Sequence, residues 1–266
     1  HQILEINKGS ISVDRSKTPF AIYDALYQNG VDILVQKDPC QLAKAQKNPT
    51  EIAGIKHAHA LDGRALTRFI YWLKQQPHMT EEGAATALEA FRHENPEYKG
   101  SSFSTISAFG ANGAIVHYDH TKFGSAPFTD GNVYLIDSGG QYEFGTTDVT
   151  RTIAIGDATN EMKRCYTLVL KGHIALATAK FPRGTSGAQL DALARQFLWQ
   201  EGLDYDHGTG HGVGYYLSVH EGPQGISKRS SDTPLLPGMI LSNEPGYYKE
   251  GHFGNRIENL VLVVEQ

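Results

Sequence analysis

Five acidic or imidazole side chains sit in strand-like or glycine-rich settings along this 266-residue sequence. Asp137 closes the apolar run VYLID and is followed by SGG; Asp148 comes eleven residues later, in TTDVTRT. A carboxylate at the end of an apolar strand is costly to bury without a partner. A strand, a Gly-rich connection and a return strand form a hairpin, which can bring two such carboxylates together. HGTGHGVG holds His207 and His211 among four glycines, and His220 follows in SVHEGP. His at i and i+4 is a metal pattern on a helix, but the glycines argue for an extended segment whose backbone approaches a ligand closely. Glu244 lies in MILSNEPGYY, after an apolar strand, and Glu258 in GNRIENLVLVV, at the head of the last apolar run. Singly, these are ordinary turn aspartates, loop histidines and strand-end acids. Together, four carboxylates and one imidazole make an oxygen-rich set suited to two divalent ions such as Mn²⁺. Without cations the four would repel and raise one another's pKa. Two divalent ions cancel them, and paired metals can bridge a water, lower its pKa and polarise a carbonyl.

The elements that must position these residues follow from periodicity and punctuation. Residues 11–36 read as a short α/β unit: a strand at ISV, a helix over Pro19–Tyr27, and a second strand over Val31–Val35 after Asn29-Gly30. QKDPCQLAKAQKNP reads as a polar linker with a boundary near 40–48. Asn48-Pro49 then opens a long helix, Asn as cap and Pro at the first helical position. Ile52, Ile55, Leu66, Phe69, Ile70 and Leu73 form its apolar face. Thr80 caps a second helix ending near Glu94. Strand patterns follow at FSTISAF, AIVHY, VYLID and TRTIAI, then helices over about 158–179 and 186–201, then strands at MILSNEP and NLVLVV. Helices, strands, helices and strands in succession point to an α+β architecture.

Composition narrows the function classes. Apolar residues make up 40% and charged residues 20%, which excludes disordered, collagen-like and coiled-coil chains. The 24 Lys and Arg against 29 Asp and Glu give a net charge of −5, a poor balance for binding nucleic acid. Without Asp137, Asp148, Glu244 and Glu258 the count is 25 acids to 24 bases, so most of the excess charge is one internal site. No run of about 18 apolar residues spans a membrane, and HQILEINKGS has no signal-type core. Cys40 and Cys165 read as free thiols of a reducing compartment, Cys165 as a buried small residue rather than a nucleophile. The missing initiator Met reads as a chain cut from something longer.

The ordered set Asp137, Asp148, His211, Glu244 and Glu258, within LIDSGG, TTDVTRT, HGTGHGVG, SNEPGYY and NRIEN, resembles the pita-bread metallopeptidases. That family includes methionine aminopeptidase, prolidase, creatinase and aminopeptidase P. GANGAIVHY around His117, HGTGHGVG and VHEGP are most similar to aminopeptidase P. DPCQLAKAQKN and EIAGIKHAHALDG resemble its eukaryotic-type, three-domain form, and the resemblance to the family covers roughly 49–266.

The resemblance implies a pita-bread (creatinase/aminopeptidase) fold, a curved and mostly antiparallel sheet backed by helices. It makes 48–266 the catalytic domain and 1–47 the remnant of a preceding creatinase-like α/β domain plus linker. It implies that Asp137 holds one metal, that Asp148 and Glu258 bridge both, and that His211 and Glu244 complete the second site. Mn²⁺ leads, with Co²⁺ or Zn²⁺ as alternatives. The resemblance implies that Glu244 also handles the proton of the water bridging the metals, whose hydroxide attacks. His117, His207 and His220 match substrate-binding and proton-shuttling histidines, and Arg256 a guanidinium that holds ligand carboxylates in place. The implied reaction is hydrolysis of the bond between an N-terminal residue and a following proline, by a cytoplasmic enzyme whose full-length form is a homodimer. It acts on peptides with proline second, not on nucleic acid or membranes. Xaa-Pro dipeptidase (prolidase) activity is the alternative, and a non-catalytic binding module on the same fold the second. The His211–His220 gap, with YYLS inside it, departs from the tightest family spacing.

Overall fold

The computed structural model describes residues 9–229 and 233–265; residues 1–8 of the N-terminal stretch lie outside it. The chain divides into two compact units, residues 1–44 and 45–266.

In the first, β1 (Ser10–Val13) and β2 (Asp32–Val35) pair in parallel, joined by α1 (Phe20–Gln28). A parallel pair needs such a crossover. Val13, Leu26 and Val31 form its small core. The stretch expected to be a linker is in part a helix, α2 (Pro39–Ala45). Its start is built as a helix start: the Asp38 carboxylate accepts from Cys40 N–H at 2.9 Å, and Pro39 takes the first position. Polar side chains mask this signal, because α2 has too few apolar residues to show a period.

The second unit opens with α3 (Pro49–Leu73) and α4 (Glu81–His93). Asn48 accepts from Glu51 N–H while Glu51 reaches back to Asn48 N–H, a complete capping box. Thr80 Oγ1 caps α4 through Gly83 N–H. The strands that follow are β3 (Tyr98–Ser101), β4 (Ile106–Phe109), β5 (Asn132–Ser138), β6 (Gly140–Tyr142), β7 (Gly145–Thr146) and β8 (Val149–Ile155), with α5 (His120–Phe123) between β4 and β5. β4, β5 and β8 form an antiparallel sheet in which Ile106, Asp137 and Thr150 share one register line. The residues between Asp137 and Asp148 thus make the expected return, with the small β6–β7 hairpin set into the turn.

α6 (Asn160–Ala177) and α7 (Gly187–Trp199) come next. They approach so closely that a Cβ at Gly172 would lie 2.0 Å from Ala194 O. The last third is short strands: β9 (Gly210–His211), β10 (Gly225–Ile226), β11 (Ile240–Asn243), β12 (Gly246–Lys249), β13 (Phe253–Arg256) and β14 (Asn259–Leu262). β9 pairs with β10, β11 with β14 and β12 with β13, all antiparallel. Helices packed on antiparallel strands are the α+β class the sequence pattern implies.

The strand expected at Ala114–Tyr118 is not one. Residues Gly110–Ala114 form a 3₁₀ turn, and the chain continues through turns closed by Ile115 N–H to Asn112 O and Tyr118 N–H to Ile115 O. Ile115 and Val116 favour strands, but Gly110 at φ +55° and the glycines around Asn112 let the backbone curl first.

The main core lies where α3 and α4 pack on the β4–β5–β8 sheet, with Leu66, Phe69, Leu88, Tyr134 and Ile136 at its centre. Beside it Asp62 of α3 meets Arg92 of α4 in a bidentate pair at 2.7 and 3.0 Å, both fully buried. Arg92 also donates to Ser138 Oγ at 3.0 Å and Tyr142 to Asp62 at 3.1 Å. The pair therefore pins two helices to the end of β5, one residue from Asp137. Asp62→Ala would strand a buried guanidinium and is expected to lower stability by about 3–5 kcal/mol. Urea unfolding monitored by circular dichroism measures it, and a loss below about 1 kcal/mol would show that the pair carries no such burden.

Candidate active site

The strands deliver their acids to one place. Asp137 is the penultimate residue of β5, Asp148 precedes β8, and His211 ends β9. Glu244 follows β11 and Glu258 precedes β14, so both stand at the Asn243–Asn259 end of that ladder. A cavity of about 310 Å³ is lined by these five together with His117, His207, His220 and Arg256. Phe103, Ile106 and Val116 supply apolar wall. All nine residues singled out in the sequence thus face one space.

His220 reaches it despite the long gap. The chain doubles back after His211 through Glu221 N–H to Gly212 O at 2.8 Å, and the two imidazoles lie 4.1 Å apart, edge to face. The extra residues are absorbed in a loop where Tyr216, Leu217 and Ser218 all take positive φ.

His211 Nε2 lies 3.3 Å from Asp148 Oδ2 and 3.4 Å from Glu244 Oε1. Its Nδ1 faces Gly212 O at 2.9 Å, so that nitrogen carries a proton and Nε2 is turned to the carboxylates. Ser242 Oγ accepts from His211 N–H and donates to Glu244 Oε1, both at 2.9 Å. Arg256, 2% exposed, ties the opposite side. It donates to Asp137 Oδ2 at 2.7 Å, to Tyr248 Oη at 2.7 Å and to Thr150 Oγ1 at 3.2 Å. Thr150 in turn donates to Glu258 Oε2 at 2.6 Å. Because Arg256 only donates, Tyr248 must give its own proton to His207 Nε2, 2.8 Å away. His207 Nδ1–H then donates to Gly208 O at 2.8 Å, which fixes one neutral tautomer.

Tyr248, Thr150 and Ser242 organise the site without standing out in the sequence. Tyr247 and Tyr248, next to Glu244, read in the sequence either as residues lining the site or as strand aromatics; on β12 successive side chains face opposite ways. Tyr248 enters the network and Tyr247 packs instead against Phe253. The signal that separates them is register: Gly246 pairs with Arg256.

Electrostatics mark the cluster as incomplete by itself. Burial pushes Asp148 up to about 6 and Glu244 up to about 7, and repulsion from neighbouring carboxylates adds to both. Glu258 is raised well above the usual carboxylate range by burial and by Asp148 and Glu244. Burial opposes the His211 cation, but the adjacent carboxylates outweigh it and raise its pKa. His207 falls to about 4 through burial and the Arg256 charge, and His220 is lowered by burial and His211. Asp137 Oδ1 is buried with no hydrogen-bond partner. Ligand atoms of Asp148, His211 and Glu258 lie within 4.8 Å of one another. Mutually repelling oxygen donors, one of them orphaned, fit divalent cations.

The sequence model of metallopeptidase family M24 matches residues 53–265. The chain belongs to metallopeptidase family M24. Its fold is the pita-bread fold of that family. It is 49% identical over 268 residues to a probable Xaa-Pro aminopeptidase P of Laccaria bicolor, covering 98% of this chain and 41% of that protein. It is 43% identical over 290 residues to aminopeptidase P1 of Lotus japonicus, covering 100% and 44%. Among solved structures it resembles the X-prolyl aminopeptidase of Caenorhabditis elegans, described as a cytosolic enzyme with a di-nuclear active site, with TM-score 0.89, 41% identity and coverage of 97% and 42%. It also resembles the prolidase of Pyrococcus furiosus, with TM-score 0.86, 26% identity and coverage of 100% and 77%. The chain spans about two fifths of the curated relatives' length. No helix among the described residues of this M24 domain is long and apolar enough to cross a membrane.

The raised carboxyls predict an inverted stability profile for the metal-free chain. Each binds its proton more tightly folded than unfolded, so stability falls as pH rises from about 4 through about 7. Glu258→Gln removes one repelling charge and should raise the stability of the metal-free chain at pH 8, by on the order of 1 kcal/mol. Urea titrations in chelator at pH 5.5 and 8 measure both effects. A less stable Glu258→Gln chain would show that the cluster is not held against its own repulsion.

Proposed function

We propose that this domain is the catalytic part of a dinuclear metal aminopeptidase that releases an N-terminal residue preceding proline. The observation that carries this reading is the convergence of Asp137, Asp148, His211, Glu244 and Glu258 with His117, His207 and His220 on one cavity. The identity to proteins named Xaa-Pro aminopeptidase P supports the substrate class. We read residues 1–47 as the end of a preceding creatinase-like domain, which the parallel β1–α1–β2 unit supports, and 48–266 as the catalytic domain. The cytosolic relative supports a cytoplasmic place for the full protein.

Asp137 would hold one ion, His211 and Glu244 the other, with Asp148 and Glu258 shared. Mn²⁺ suits the carboxylate-rich set best, with Co²⁺ or Zn²⁺ as alternatives. Two divalent ions bound there would supply a water of lowered pKa and an electrophile for the scissile carbonyl. The chain's own residues do the rest. Glu244 accepts a proton and passes it to the proline nitrogen, which must be protonated to leave. His220, edge to face with His211, donates to the oxygen on which charge develops. His207, held neutral between Tyr248 and Gly208, and His117, which lines the same cavity, orient the peptide. Proline's nitrogen has no N–H to recognise, so shape must serve, and Phe103, Ile106 and Val116 give that wall.

The likeness to a prolidase structure keeps Xaa-Pro dipeptidase activity as the second reading. Offering Xaa-Pro and Xaa-Pro-Yaa with Mn²⁺ separates the two. The expected result is release of the first residue from the tripeptide, abolished by chelator; cleavage of the dipeptide alone would favour prolidase. Glu244→Ala should cut kcat by about 10²–10⁴-fold or more at saturating Mn²⁺, and near-normal turnover would sink the assignment. A calorimetric metal titration distinguishes the non-catalytic alternative, which should bind no pair of ions.

A further inference from the structure

Glu81 is the most completely used buried carboxylate outside the candidate metal site, and its own helix does not need it. Thr80 caps α4. Glu81, 0% exposed, sends both oxygens to another part of the chain. Oε1 accepts from Phe109 N–H at 2.6 Å and from Asn112 Nδ2 at 2.9 Å. Oε2 accepts from Ala126 N–H at 2.8 Å and lies 3.0 Å from the Tyr118 hydroxyl. Its backbone joins in, with Glu81 N–H donating to Ala126 O and Ser107 Oγ donating to Glu81 O. All of these partners lie on or immediately before the segment 109–126.

That segment carries His117. No hydrogen bond among the described residues holds the His117 ring itself. Its place is set by the two turns that run from Asn112 to Ile115 and from Ile115 to Tyr118. Both ends, Asn112 and Tyr118, touch Glu81. The other side of the segment is closed by β13, where a Cβ at Gly254 would lie 1.8 Å from Gly113 O. The chain between Asn112 and Tyr118 is therefore clamped between one carboxylate and the strand that ends in Arg256.

We propose that Glu81 is a positioning residue, which acts on the reaction by fixing the 109–126 segment so that His117 faces the cavity. The proposal rests on the aminopeptidase reading for the role of His117, but not for its position. A carboxylate is the group this place requires. It offers about four acceptor sites and no donor; Phe109 N–H, Asn112 Nδ2 and Ala126 N–H donate to it, and the single proton of the Tyr118 hydroxyl is shared between Glu81 Oε2 and Gly124 O at 2.6 Å. Gln in the same volume would turn an NH₂ toward two of them. Asn112 can flip, but the N–H of Phe109 or of Ala126 cannot. One buried amide loses its acceptor, and the segment shifts to recover it.

The test combines kinetics with a measurement that needs neither metal nor activity. In the metal-loaded protein, Glu81→Gln should lower kcat/KM on Xaa-Pro-Yaa by about 10–100-fold, the scale of a misplacement near 1 Å, while two ions per chain still bind. Glu81→Gln in the His117→Ala background should cost nothing more, because the group it positions is already gone. In metal-free protein with ¹⁵N-labelled histidine, the His117 resonances should move in Glu81→Gln and those of His211 should not. Multiplying losses in the double variant, or an unmoved His117 signal, would overturn the proposal. If the parent chain cleaves no Xaa-Pro-Yaa, the aminopeptidase reading fails and the spectra still decide the position. If Glu81→Gln does not fold, Tyr118→Phe and Asn112→Ala each remove one tie, and each should move the His117 signal in the same sense.

Discussion

Four carboxylates converge on one cavity with three of them almost completely shielded from water, and the M24 unit is organised around holding them there. Like charges so placed would separate or take up protons if the backbone let them. It does not, because each acid is attached where a strand begins or ends, and strands in a ladder cannot move singly. Asp137 lies in register with Thr150, and Glu244 and Glu258 flank one end of the β11–β14 pair. Arg256 adds a cation at the point of contact and extends the restraint through Thr150 to Glu258.

The histidines obey a different logic. His117, His207 and His220 stand on loops or turns, where strand pairing gives no rigidity. Each loop is held instead by a buried charge from another element. Glu81 holds the segment of His117. Arg195 of α7, paired with Asp191 at 2.6 Å, donates to His207 O at 2.8 Å. Lys47 Nζ lies 3.5 Å from Glu221, the neighbour of His220. Buried ion pairs are weak evidence for stability but strong devices for fixing a geometry. The acids are thus placed by the sheet and the imidazoles by charges.

This division explains what the sequence could reveal. The acids were legible because each sits at a boundary between an apolar run and a turn, a pattern local to a few residues. The helices were legible from their caps, and Asn48-Pro49 and Thr80 start where they should. The net charge of −5 pointed to the cluster once four acids were set apart. What stayed hidden is long-range. Only the family resemblance singles out Arg256 as a guanidinium on ligand carboxylates; its partner Asp137 is 119 residues away, Arg92 and Asp62 are 30 apart, and no local pattern names either partner. Ala114–Tyr118 misled because Ile and Val prefer strands, whereas Asn112 and Tyr118 answer to Glu81. In that stretch tertiary hydrogen bonds outweigh propensity.

The repulsion that strains the site is also what suits it to cations. A carboxyl in water holds its proton too weakly to exchange it near neutrality. Without metal, burial lifts Glu244 to about 7, so protons occupy the cluster where two divalent ions would sit. The same burial lowers His207 to about 4, so that beside a raised acid stands an imidazole that stays neutral. Burial thus shifts two kinds of group in one cavity in opposite directions, each away from its charged form. A more solvated cluster would be more comfortable without metal. It would also lose the mutual repulsion that two divalent ions would relieve, so the stability given up by the metal-free chain and the fit of its cavity for cations have a single origin.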